Sequence, residues 1–192
     1  LFPCNRGGIP ELAFRYVVTR GLLEESAYPY ENLDKTDIEE CKVEGGKMGL
    51  LEAWNLDPQR HEKNSNRIYA QAGSIKSLCD TPTSQYVIDQ NIQNMKTEIM
   101  TNGPIVGTIM VYDDLYRYNS ESVYEVSPGA TLLGGHAIEI YGWSDAGQNT
   151  EEKGFEGAYW LARNSWGNIW PKNLPVKFTG WFYVKMGSNE AG

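Results

Sequence analysis

Apolar residues along the chain recur first with a helical period and later with strand alternation. Over residues 9–21, Leu12, Ala13, Tyr16 and Val17 fall on one face, Pro10 suits a first helical position and Gly21 a C-terminal cap. A helix is expected there, followed by a turn over 25–31 around an extended Tyr-Pro-Tyr. Residues 42–84 are less regular. Gly45-Gly46 and the polar run 57–66 read as loops, and the alternation over 67–76 reads as a strand. From 87 to 101, Ile88, Ile92, Met95, Ile99 and Met100 return at helical spacing, and Asn102-Gly103-Pro104 ends that helix. Five segments rich in β-branched and aromatic residues follow, at 105–112, 122–126, 137–143, 159–163 and 181–185. Each is bounded by turn-forming residues and is expected to be a strand. Helices early and strands late predict an α+β fold.

Composition narrows the function classes. The 192 residues are 41% hydrophobic and 22% charged, which is globular rather than disordered. Trp143, Trp160, Trp166, Trp170 and Trp181 place the denser core late in the chain. Net charge is −8 and no Lys/Arg cluster is present, which argues against a nucleic-acid partner. No apolar run reaches the roughly 20 residues that cross a bilayer, so no membrane span is expected. Leu1-Phe2-Pro3-Cys4 has neither a basic nor an apolar leader region, and removal of an earlier segment is the favoured explanation. With three cysteines (Cys4, Cys41, Cys79), no Cys-x-x-Cys and two histidines, neither a metal site nor a cofactor is expected.

Two segments carry candidate chemistry. His136 follows Gly134-Gly135 and opens the alternating run 137–143. The ring can face a cleft there, or it can be a hydrogen-bonded histidine on a barrel rim. Asn164 ends the run Tyr159-Trp160-Leu161-Ala162-Arg163, with Ser165-Trp166-Gly167 behind it. Its amide oxygen can accept from an imidazole N–H and so set tautomer and orientation. It can equally belong to a plain Asn-Ser turn beside a core Trp.

Taken together, Gly-Gly-His before an apolar strand and Tyr-Trp-Leu-x-x-Asn-Ser-Trp-Gly two dozen residues later resemble the His and Asn boxes of papain-type cysteine proteases. Cys4-Asn5-Arg6-Gly7-Gly8-Ile9-Pro10 is similar to the family's Cys-Asn-Gly-Gly stretch. Residues 102–118 resemble the Asn-Gly-Pro region of cathepsins B and C. The resemblance covers nearly the whole chain and is weakest over 42–84. It implies a papain-like fold, with residues 1–84 part of the helical subdomain and 85–192 a β-rich, barrel-like subdomain. It implies that His136 is the base paired with a thiolate and Asn164 its orienting partner. Trp166 then covers their bond, and Trp170 is the second Trp of that loop. Gly7 and Gly8 would leave a bare cleft wall for an extended peptide, with Gly135 and Thr108 also lining the substrate site. Cys4 and Cys41 match structural disulfide positions.

The chain departs from the family pattern in four places. The nucleophile-bearing Cys-Gly-Ser-Cys-Trp stretch is not found, and none of the three cysteines has such surroundings. The last strand of the family pattern does not follow residues 187–192. Arg6 is inserted in the Cys-Asn-Gly-Gly stretch, and residues 171–180 replace a short Gly-rich turn. The expectation is therefore a thiol-dependent endopeptidase of lysosomal, vacuolar or secreted location. Its cysteine would lie upstream or on a partner chain, its substrates would be peptides or proteins, and the chain alone would be inactive. The alternative is a non-catalytic module on the same fold.

Overall fold

The computed structural model describes residues 8–24, 26, 67–119, 122–147, 157–167, 170–171 and 180–187. They fall in two compact units, Leu1–Lys76 and Ser77–Gly192.

The described part of the first unit is one helix and one bridge. Helix α1, Pro10–Arg20, starts on Pro at its first position without a side-chain cap. Glu11 in its first turn and Arg20 in its last suit the helix dipole. It ends at Gly21, whose φ of 71° is a glycine conformation and whose N–H donates to the Val17 carbonyl. The expected apolar face is present, but none of its residues is buried, and Leu12 and Phe14 are exposed. The strand expected over 67–76 reduces to an isolated antiparallel bridge between Ile68 and Leu22. A turn at Ala72-Gly73, with Gly73 at φ 79°, ends the extended run. At Gly21 a Cβ would lie 2.9 Å from the Ile68 carbonyl, so this close approach needs glycine.

The second unit begins with residues 77–84, which belong with the helix that follows. Asn91 donates to the Asp80 carbonyl and accepts from its N–H, and Asn94 donates to the Leu78 carbonyl. Helix α2, Gln85–Asn102, is capped by the Ser84 hydroxyl accepting from Val87 N–H and stopped by Gly103 at φ 100° before Pro104. Strands β1 (Ile105–Tyr112), β2 (Leu132–Ser144), β3 (Tyr159–Arg163) and β4 (Trp181–Lys185) form one sheet in that order, every neighbour antiparallel. A short 3-10 turn, Asp113–Arg117, follows β1 directly.

Alternation assigns the faces. Ile109 and Val111 of β1, Ile138 and Ile140 of β2, Trp160 and Ala162 of β3, and Phe182 and Val184 of β4 share a buried cluster. Ile92, Met95 and Ile99 of α2 pack against it, as their spacing predicts. Gly107 is needed on β1 because a Cβ there would meet Ile140 Cδ1 at 2.6 Å.

Two strand expectations need correction. Residues 122–126 do not form a strand; Tyr124 makes one isolated parallel bridge to Val184. Its backbone bonds Tyr183 and Lys185, but the Ser127 N–H donates to the Asp114 carboxylate rather than to a neighbouring strand. A side chain has taken over the ladder's role. Strand β2 starts at Leu132 rather than 137, so His136 lies inside it. β1 is long enough to pair Val111 with Gly134 and Met110 with Gly135, and the two glycines extend the strand instead of breaking it. Among the described residues no helix is long and apolar enough to cross a membrane, and no group of side chains could hold a metal ion.

Candidate active site

Strand parity delivers His136. It sits two residues before Ile138 and four before Ile140 on the same face, opposite Ile109 of β1. It therefore stands at the end of the core face where the hydrophobic cluster gives out. Asn164 arrives from the neighbouring element. It is the first residue after β3, it is buried, and its N–H donates to the Gly180 carbonyl at 2.7 Å.

Asn164 Oδ1 lies 2.8 Å from His136 Nε2 and accepts the Ser165 N–H at 2.7 Å. The second bond decides the chemistry of the first. Turning the amide over would set its NH2 against the Ser165 N–H, two donors face to face. The oxygen must face Ser165, so the same oxygen faces His136. A carbonyl oxygen can only accept, and Nε2 is therefore the protonated nitrogen. Nδ1 keeps its lone pair and is the basic atom of the ring. Asn164 Nδ2 is buried without an acceptor among the described residues, so the two bonds to oxygen alone set the amide.

Aromatic rings layer this pair. The Trp166 ring centroid is 5.3 Å from that of His136, tilted 31°. Tyr116 stacks on Trp166 at 4.8 Å and 19°. Trp170 meets Trp166 edge-on at 5.1 Å and 70°. Trp170 is buried beside this layer rather than over the imidazole, and its Nε1–H donates to the Leu115 carbonyl at 3.0 Å. Its own carbonyl accepts from Gly180 N–H at 2.6 Å, linking it to the turn residue whose carbonyl holds Asn164. The bond between His136 and Asn164 is partly buried beneath these rings, and a bond in a drier place is electrostatically stronger.

The 3-10 turn between β1 and this layer is held by its acids. Asp113 Oδ1 accepts from Thr131 N–H at 2.9 Å. Asp114 accepts from the Tyr124 hydroxyl at 2.7 Å and from Ser127 N–H at 2.8 Å. Burial pushes the Asp114 carboxyl up, but the bonds from Tyr124 and Ser127 outweigh it and leave the group below the ordinary carboxylate range. Burial, and then the bond to Asp114, drives the Tyr124 phenol far upward. The sequence reading missed Asp114, Tyr116 and Tyr124. Its available signal was two acids immediately behind a strand, the pattern of a turn that borrows side-chain oxygens.

Of the other candidate residues, Thr108 is exposed on the opposite face of β1, with Ala137 as its β2 partner. Gly135 is exposed opposite Met110, and Gly8 is exposed just before α1. Gly7, Cys4 and Cys41 lie outside the described residues. Cys79 is a free thiol on an exposed residue, and partial burial of the sulfur followed by the Asp80 charge pushes its pKa up. That environment disfavours a nucleophilic thiolate.

The family model described as papain family cysteine protease matches residues 3–192. The chain belongs to the papain family. A cathepsin B-like cysteine proteinase of Caenorhabditis elegans is 30% identical over 100% of this chain and 53% of its own length. A cathepsin B-like protease of Arabidopsis thaliana is 29% identical over 100% of the chain and 42% of its own. The tubulointerstitial nephritis antigen of Bos taurus is 29% identical over 98% of the chain and 37% of its own. The chain thus spans about half, or less, of the length of these relatives. Among solved structures, procathepsin B S9 of Trypanosoma congolense has a TM-score of 0.53 at 22% identity, covering 96% of this chain and 50% of that one. Procathepsin L 3 of Tenebrio molitor has a TM-score of 0.53 at 18% identity, covering 96% and 47%. These likenesses establish the papain-like α+β fold.

Proposed function

We propose that this chain carries the histidine and asparagine of a thiol-dependent endopeptidase whose cysteine lies upstream of Leu1 or on a partner chain. The observation that carries the reading is the Asn164 oxygen shared by Ser165 N–H and His136 Nε2, which leaves Nδ1 as a base with a fixed direction. In this mechanism Nδ1 takes the thiol proton, and the thiolate attacks the scissile carbonyl. Donors in the cleft hold the oxyanion. The imidazolium then returns the proton to the leaving amine, and water, deprotonated by the same Nδ1, hydrolyses the thioester. Asn164 keeps the ring aimed through both proton transfers, and Trp166 keeps their bond dry. No metal or cofactor is needed for these steps.

Gly7 and Gly8 are assigned to peptide binding through their bare backbone, and Cys4 and Cys41 to structural disulfides; Thr108 faces away from His136 on β1 and is not kept in that role. The substrates are peptides or proteins, and the setting is lysosomal, vacuolar or secreted, as the family implies. The test uses the complete protein, reduced and folded, with an epoxide or vinyl-sulfone probe. A cysteine adduct that disappears in His136→Ala is expected. A folded, reduced sample that takes no adduct would favour the non-catalytic module instead.

A further inference from the structure

The Asp113–Arg117 turn touches Trp166, which lies beside the imidazole, and Trp170, which packs on Trp166. The Leu115 carbonyl accepts from Trp170 Nε1–H, and the Tyr116 ring lies flat on Trp166. A five-residue 3-10 turn holds itself weakly; its end is closed by Tyr118 N–H to the Leu115 carbonyl at 3.2 Å. Its placement therefore depends on outside bonds. Tyr124 supplies a firm anchor, since it is buried and its N–H and carbonyl bond Tyr183 and Lys185 of β4. Asp114 connects that anchor to the turn with one oxygen and holds Ser127 N–H with the other. A chain of contacts thus runs from β4 through Tyr124 and Asp114 to the turn, and from there to Trp166 and His136.

We propose that Asp114 is a positioning residue for His136, fixing through the Tyr124 hydroxyl the turn that seats Trp166 beside the imidazole and Trp170 against Trp166. The functional meaning rests on the proposed peptidase reading, but the physical coupling does not. Neither Asp114 nor Tyr124 touches the imidazole. Their effect is to set how often the aromatic cover opens and admits water to the bond between His136 and Asn164.

The test is NMR of the complete protein labelled at histidine, following exchange of the His136 Nε2 proton with water. The resonance is assigned by its loss in His136→Ala. Tyr124→Phe keeps the buried ring and removes one hydroxyl. It should speed exchange by roughly ten-fold or more, the effect of a lost charge-assisted hydrogen bond on an opening equilibrium. Asp114→Ala should do at least as much. Asp114→Asn keeps an oxygen for Tyr124 but not a second for Ser127, and should fall between. Asp145→Asn breaks an ion pair with Lys96 of α2 and serves as the control that leaves exchange unchanged. Unchanged exchange in folded Tyr124→Phe overturns the proposal, and so does equal acceleration in all variants, Asp145→Asn included. If Asp114→Ala fails to fold, Tyr124→Phe decides alone. Loss of probe labelling with the exchange pattern intact would sink the peptidase reading and leave this coupling standing.

Discussion

One amide oxygen sets the direction of one base. Because Asn164 Oδ1 must accept from Ser165 N–H, it also accepts from His136 and commits the imidazole to one tautomer. Asn164→Ala removes the one oxygen shared by both bonds, so the His136 Nε2 proton loses its acceptor and should exchange with water faster in NMR of the histidine-labelled protein. Unchanged exchange of that proton in a folded variant would refute it. Asp114 acts through its charge. Its folded pKa is lowered, so its contribution to stability is fully present above the unfolded value of about 3.9 and is lost as pH falls through the folded value. Asp114→Asn should flatten the acid limb of the stability curve below about pH 4 while leaving its shape near neutrality unchanged, as read by denaturant titrations at several pH values. His136 and Asn164 were legible in the sequence because each sits in a dense local motif. Asp114 and Tyr124 were not, since their bond joins residues ten positions apart and neither neighbourhood shows it.

Strands here are decided by their partners as much as by their own residues. The runs 105–112, 159–163 and 181–185 match β1, β3 and β4 because alternation and length agree with what pairs beside them. Residues 122–126 are also rich in β-branched and aromatic residues, but beyond the single Tyr124 bridge to β4 they take side-chain bonds with Asp114 and Tyr118 instead of a ladder. The Gly134-Gly135 pair, expected just ahead of the strand, is strand interior, because β1 reaches past it. Turns at the strand ends place the site as directly as the strands do. Gly180, at φ 85°, accepts from Asn164 N–H and donates to Trp170, and a Cβ on it would lie 3.1 Å from the Asn164 carbonyl oxygen. Gly180→Ala combines a left-handed backbone with that close approach. It should destabilise the fold by about 1–3 kcal/mol in chemical denaturation, and shift the His136 resonances because Asn164 must move. A variant of unchanged stability would show that the turn relaxes freely.

At the scale of the molecule, the buried cluster from Ile109 to Val184 lies wholly inside the unit Ser77–Gly192, with α2 packed on it. Lys96 of α2 also bonds Asp145 at 2.5 Å and lies over the Trp143 ring, tying the helix to the end of β2. The described residues of the other unit hold one helix with no buried residue. A helix pattern without burial is what the sequence could not reveal: periodicity shows which face is apolar, never whether anything covers it. The asymmetry has a measurable consequence. A fragment of residues 77–192 keeps the whole described core, the aromatic layer and the bond between His136 and Asn164, so it should unfold cooperatively and retain the near-ultraviolet circular dichroism of its packed tryptophans. Its His136 Nε2 proton should still exchange slowly with water, although the fragment lacks Gly7 and Gly8 and should not cleave peptides. A fragment that shows helical signal but no cooperative transition would mean that this core needs residues 1–76 to pack, and that the base and its orienting amide are assembled only by the longer chain.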